Sequence, residues 1–228
     1  MFPPILTPFM MLALILFLLP LFLVAFIGGV TLVFHKLGIP FFLAYILLWL
    51  SLIGSFINIP IKKIESYTPI ERFEKISFFN LIYSISHIRE QKTTIAVNVG
   101  GALIPVLIVF YEIIRLLVAK MYLLLLQSFL ATIIVLVICY FFSKPIRGLG
   151  IGIPVFIPPI SAAISAWALS PQNPAVVAYI SGVLGTLIGA DLLKLNRIKE
   201  LGAPIASIGG AGTFDGIFIT GILAVLLV

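Results

Sequence analysis

Apolar residues run along this chain in blocks of about twenty, separated by short polar gaps. Seven blocks are long enough to cross a bilayer: residues 10–34, 40–59, 96–118, 121–142, 150–169, 174–193 and 207–228. An α-helix rises about 1.5 Å per residue, so a hydrocarbon core of about 30 Å takes about 20 residues. The blocks are apolar throughout rather than alternating. That excludes an outer-membrane barrel, whose strands change character at every residue. The pattern predicts an all-α membrane protein, a bundle of about seven transmembrane helices, with residues 1–228 forming one integral-membrane domain. No positive charge precedes the first block, which continues to Phe34, so it is expected to be a retained span rather than a cleaved leader.

The interruptions carry as much information as the blocks. Residues 61–94 hold Lys62, Lys63, Glu65, Glu71, Arg72, Glu74, Lys75, Arg89, Glu90 and Lys92 and form the one sizeable polar insertion. Within it, residues 76–88 are rich in Phe, Ile and Tyr and partly alternate, which fits a short hairpin or an interfacial helix. The fifth block is led by Pro145, Gly148, Gly150, Gly152, Pro154, Pro158 and Pro159. Proline lacks the amide donor and clashes with the preceding turn. Broken backbone survives at membrane depth only where protein or enclosed water satisfies it. Residues 145–160 are therefore expected to form a re-entrant or broken element, and Gly209-Gly210-Ala211-Gly212 a second irregular stretch before the last helix.

Composition narrows the classes further. The chain is 62% hydrophobic and 10% charged, with a mean hydropathy of +1.28. Soluble domains carry about 25% charged residues. A soluble enzyme, a nucleic-acid-binding domain and a disordered chain are excluded. The net charge of +6 is a topology signal instead. With the N-terminus in the cytoplasm, the inner side holds Lys62, Lys63, Arg72, Lys75, Arg89, Lys92, Lys144, Arg147, Lys194, Arg197 and Lys199. The outer side keeps Lys36, Arg115 and Lys120. That bias predicts an N-terminus inside and a C-terminus outside. The single Cys139 lies in an apolar block and reads as a small apolar residue.

Ionisable residues inside spans are candidates for function because burying them is costly. Here they are Glu112, Arg115, Asp191 and Asp215. Glu112 and Arg115 are three apart on a helix and can pair. Asp191 and Asp215 lie on consecutive antiparallel spans, at similar depth near the cytoplasmic face. Two carboxylates brought together share a proton, and their pKa values split. That is the arrangement of aspartyl proteolysis, so both are candidate catalytic residues. Each also has a plain structural reading. Asp191 precedes Lys194 and Arg197, and Asp215 sits where it would cap a helix. Small residues recur every fourth position around both, at Ser181, Gly185 and Gly189 and at Gly212, Gly216 and Thr220. Gly209, Gly210 and Gly212 would let a substrate backbone come close. Asn98, ahead of Gly100 and Gly101, is either a cap or a substrate contact. His35 and His87 lie far from any metal-ligand pattern, and neither a metal nor an organic cofactor is implied.

Three stretches carry a resemblance. Thr94-Ile95-Ala96-Val97-Asn98-Val99-Gly100-Gly101-Ala102 with Ile104-Pro105, then Gly189-Ala190-Asp191-Leu192-Leu193, then residues 207–218 from Ser207 through Asp215 to Phe218, resemble the prokaryotic membrane family known as domain of unknown function 1614. That resemblance implies no activity. A looser one is to the intramembrane aspartyl proteases of the presenilin, signal-peptide-peptidase and prepilin-peptidase group. It implies two membrane aspartates, one in a Gly-x-Gly-Asp motif, which Gly189-Ala190-Asp191 and Gly212-Thr213-Phe214-Asp215 approximate without the glycine directly before the aspartate.

Three functions follow as expectations. The first is an intramembrane aspartyl-protease-like hydrolase acting on a transmembrane peptide through Asp191 and Asp215. The second is a small ion- or proton-coupled transporter or channel that uses Asp191, Asp215 and Glu112. The third is a scaffold whose residues 61–94 bind a partner. The lipid bilayer is the one partner common to all three, and nucleic acid is not expected; the pattern leaves the oligomeric state open.

Overall fold

Membrane-spanning helices form the body of the molecule, and a small sheet closes one end of it. The computed structural model describes residues 6–78, 81–146, 150–200, 203–210 and 216–228. The helices are α1 (Leu6–Lys36), α2 (Phe41–Gly54), α3 (Ile104–Val118), α4 (Tyr122–Phe142), α5 (Ile157–Leu169), α6 (Pro174–Thr186) and α7 (Gly216–Leu226). A π-helical turn, Val99–Leu103, leads into α3. A second, Leu187–Asp191, follows α6 and passes into a 3-10 helix, Leu192–Glu200. Four helical stretches are long and apolar enough to cross a membrane: Ile15–Lys36, Val99–Val118, Tyr122–Phe142 and Pro174–Ile198.

The other three helices have 14, 13 and 11 residues. At about 1.5 Å per residue they reach only about 17–21 Å. The fifth block is broken as its prolines predict: β3 (Lys144–Ile146) and β4 (Gly150–Gly152) pair as a small hairpin before α5. The last block enters through β5 (Ile205–Ile208) before α7. Ile208 and Gly209 are buried, as backbone at this depth requires.

The helices alternate in direction, and cross-links at their ends show it. At the end of the bundle away from the sheet, the Arg115 guanidinium near the end of α3 lies over Gly38, in the α1–α2 turn. The Lys36 Nζ donates to the Val225 carbonyl near the end of α7 at 3.3 Å. Gln127, early in α4, donates to the carbonyl of Leu169 at the end of α5. At the sheet end, Gly54 of α2 packs on Gly100, and Gly189 packs on Leu136 and Cys139 of α4.

The core centres on α6, which packs against α4, α5, α7 and α3. Every residue from Val176 to Val183 is buried, as expected of a helix that is apolar all round. Glycines set its spacing. A Cβ at Gly185 would come 2.6 Å from the Val135 side chain, so the Ser181–Gly185–Gly189 stripe is turned toward α4. Gly182 and Gly221 serve the α6–α7 contact, where Thr220 and Ala224 meet Gly182. α1 lies at the periphery, with Ile15 to Val24 exposed to the surrounding lipid.

The polar insertion is a β-ribbon. β1 (Asn58–Phe78) and β2 (Leu81–Asn98) pair antiparallel from Asn58↔Asn98 to Phe78↔Leu81. Register shifts fall between Pro60 and Lys62 and between Ile70 and Glu74. Pro60 and Pro69 sit on β1, an edge strand, where a missing amide is tolerated. β5 adds to β2 in parallel, from Thr94↔Ile205 to Val97↔Ile208, so the sheet order is β1-β2-β5. The sheet joins two regions far apart in sequence at the foot of α3.

Candidate functional sites within the bundle

The sheet end holds a buried polar node. Asn98 closes β2 and caps the π-helical turn: its Oδ1 accepts from the Gly101 amide at 2.7 Å. Its Nδ2 donates to the Ser55 carbonyl at 2.6 Å and to Asn58 Oδ1 at 3.1 Å. Ser207 Oγ donates to the same Asn58 oxygen at 2.6 Å. Ser51 Oγ donates to the Gly100 carbonyl at 2.7 Å. Gly100 has no room for a side chain, because a Cβ would run into the backbone of Ser51, Gly54 and Ser55. Thr93 Oγ1 donates to the Ala203 carbonyl at 2.7 Å. One asparagine thus ties α2, β1 and the start of α3 together. A fully satisfied network of this kind makes a rigid corner.

Gly209 and Gly210 border that corner. Both have positive φ, +83° and +87°, which a glycine adopts without strain. A Cβ at Gly209 would lie 3.0 Å from Ala102 Cα, so the chain crosses the π-helical turn at van der Waals distance. Gly212 and Asp215 lie outside the described residues, and so does the geometry of the Asp191–Asp215 pair.

Asp191 closes the second π-helical turn at the sheet end and is half-buried. It engages in interactions of its own, and its charge acts on Cys139 of α4. Three residues on, Lys194 is buried. Its Nζ donates to the Ser143 carbonyl and sits 4.9 Å from the centre of the Tyr140 ring.

The other end of the bundle carries a different centre. Glu112 is fully buried in α3. Its Oε2 lies 2.6 Å from Arg115 Nη2, the pairing expected three residues apart. The arginine is 35% exposed and its partner 0%. The chain therefore turns a guanidinium toward the membrane edge and a carboxyl inward. Beyond Arg115, neither Glu112 oxygen has a hydrogen-bond partner among the described residues. The Tyr179 hydroxyl of α6, also fully buried, has none either. The Glu112 carboxyl is near enough to act electrostatically on that hydroxyl. The Tyr179 ring rests on Gly221 of α7. α3, α6 and α7 pack against one another, and the first two each bury an oxygen-bearing side chain.

The pattern of the sequence identified Glu112, Arg115 and Asn98. It did not single out Asn58, Ser207 or Tyr179. A lone tyrosine among small residues is a signal of its own, since a buried phenol normally needs a partner. Among the described residues, no group of three or more His, Cys, Asp or Glu is placed to hold a metal ion.

No curated protein and no solved structure matches the chain. The sequence model of a family described as protein of unknown function (DUF1614) matches residues 52–227. That span runs from the end of α2, through the polar node and Glu112, to the last turn of α7. The chain therefore belongs to the DUF1614 family.

Proposed function

We propose that this protein is a small proton-coupled membrane transporter whose proton site is Glu112. The carrying observation is the complete burial of that carboxyl inside a membrane-spanning helix. Ionisable groups are rare at such positions and mark ion or proton routes. Arg115 holds one side of the carboxyl. Protonating Glu112 takes the pair from net neutral to a charge of +1, and a proton, unlike a metal cation, needs no ligands beyond the carboxylate oxygen it bonds. In this reading Tyr179, on the neighbouring α6, would exchange a hydrogen bond with the carboxyl as it gains or loses the proton. The π-helical turns in the third and sixth spans support the same reading, since such irregularities collect at functional sites.

The test uses the purified full chain in liposomes loaded with a pH-sensitive dye, under an imposed potassium diffusion potential. Proton entry above empty liposomes is expected, reduced at least about tenfold by Glu112→Gln. Tyr179→Phe should slow entry without abolishing it. Equal flux in wild type and Glu112→Gln would overturn the proposal.

A second reading, an intramembrane aspartyl hydrolase using Asp191 and Asp215, is favoured by one observation. Asp191 stands at a break in the sixth span, at the sheet end. It requires that a reporter transmembrane peptide be cleaved by the wild type and by neither Asp191→Asn nor Asp215→Asn. Gly209, Gly210 and Gly212 would then border the peptide, with Asn98 holding the corner behind them.

A further inference from the structure

A concentration of positive charge on the described surface lies at the sheet end of α4 and α6. α4 stops at Phe142, Ser143 turns the chain, and Lys144 opens β3. The 3-10 helix after α6 packs against β3 and carries Lys194 and Arg197. Arg197 and Lys144 both act electrostatically on Lys194. Lys194 is buried and already committed, to the Ser143 carbonyl and the Tyr140 ring. Lys144 and Arg197 are exposed.

The surface beside the cations is apolar. Phe141 is 72% exposed, Phe142 51% and Leu193 52%. Phe141 and Phe142 stand just ahead of Ser143-Lys144 and Leu193 directly before Lys194, on spans that cross a membrane. A ligand that meets both surfaces needs an anionic head and hydrocarbon tails. We propose that Lys144 and Arg197 form a binding site for the phosphate of an anionic phospholipid, whose acyl chains lie along Phe141, Phe142 and Leu193. Lys194 adds field from beneath without giving up its own partners. Basic pockets at the polar edge of helical bundles hold lipid headgroups in this way. The same phosphate chemistry would accept free inorganic phosphate, but that ion makes no use of the exposed phenylalanines.

Native mass spectrometry of the detergent-purified full chain decides the matter, with phosphatidylglycerol, phosphatidylcholine and inorganic phosphate titrated separately. The wild type is expected to retain phosphatidylglycerol at least about fivefold better than phosphatidylcholine. The double variant Lys144→Gln/Arg197→Gln should lose roughly tenfold in retention, and Lys120→Gln, at the opposite end, should lose nothing. Both altered side chains are exposed, so the double variant should elute as the wild type does. Equal retention of the two lipids would overturn the proposal, as would an unchanged double variant. Displacement of the lipid by millimolar phosphate would also overturn it, by showing a site for the free ion.

Discussion

Single atoms decide the behaviour of the two polar centres. Glu112 and Arg115 form a pair of unequal exposure, so the two removals should differ. Arg115→Gln leaves a carboxylate buried without its counter-charge. A loss of roughly 2–4 kcal/mol is expected, somewhat below that of a fully buried pair because the guanidinium reaches the membrane edge. Glu112→Gln leaves the arginine able to turn outward and should cost less than half as much. Thermal unfolding in detergent would rank the two, and the reverse order would contradict the geometry. At the other end, Asn98→Ala removes the acceptor for the Gly101 amide and the donor to Ser55 and Asn58. Buried groups left without partners each cost about 1–3 kcal/mol. Asn98→Asp keeps the cap but not the donor, so in the same assay it should fall between alanine and wild type.

Among the elements, α6 is held by its glycines. Gly185 faces Val135 with no space for a methyl group, so Gly185→Val must push α4 away or fail to assemble. Overpacking of that kind costs typically about 1–3 kcal/mol, and in a bundle without water it opens the interface directly. Gly216→Ala, where an added Cβ meets no atom of the described residues within 4 Å, is the matched control and should be neutral. The yield of monodisperse protein after detergent extraction would separate them. The same scale explains why the polar insertion was legible only as a choice. Residues 76–88 alternate weakly, and nothing local distinguishes a ribbon from an interfacial helix. The pairing of Thr94 to Val97 with Ile205 to Ile208 brings a remote strand to β2, and with it the hairpin becomes part of a three-stranded sheet.

Across the whole molecule, charge divides between the two ends. Lys62, Lys63, Lys144, Lys194 and Arg197 gather at the sheet end, and Lys36, Arg115 and Lys120 at the other. If the positive-inside rule orients this bundle, the sheet faces the cytoplasm. Cysteines placed at Lys63 and Lys144 in a Cys139→Ala background should then resist an impermeant thiol reagent in intact cells. A cysteine at Lys120 should react. The opposite pattern would invert the topology.

The chain's hydrophobic pattern by itself determined the solvent, the approximate positions of the spans and the break before α5. It did so because lipid punishes any unpaired backbone and any charge, so these features must be written locally, residue by residue. It also identified the Glu112–Arg115 pair, whose geometry is set within one turn of helix. Tertiary structure alone decided that Asn58 meets both Asn98 and Ser207, and that α3, which carries Glu112, packs on α6, which carries Tyr179. It alone turned the Gly185–Gly189 stripe toward α4. Those meetings depend on which helices become neighbours, and in a bundle surrounded by lipid that choice rests on close packing of small surfaces. Packing of that kind is a property of pairs of helices, and no single stretch of sequence contains it.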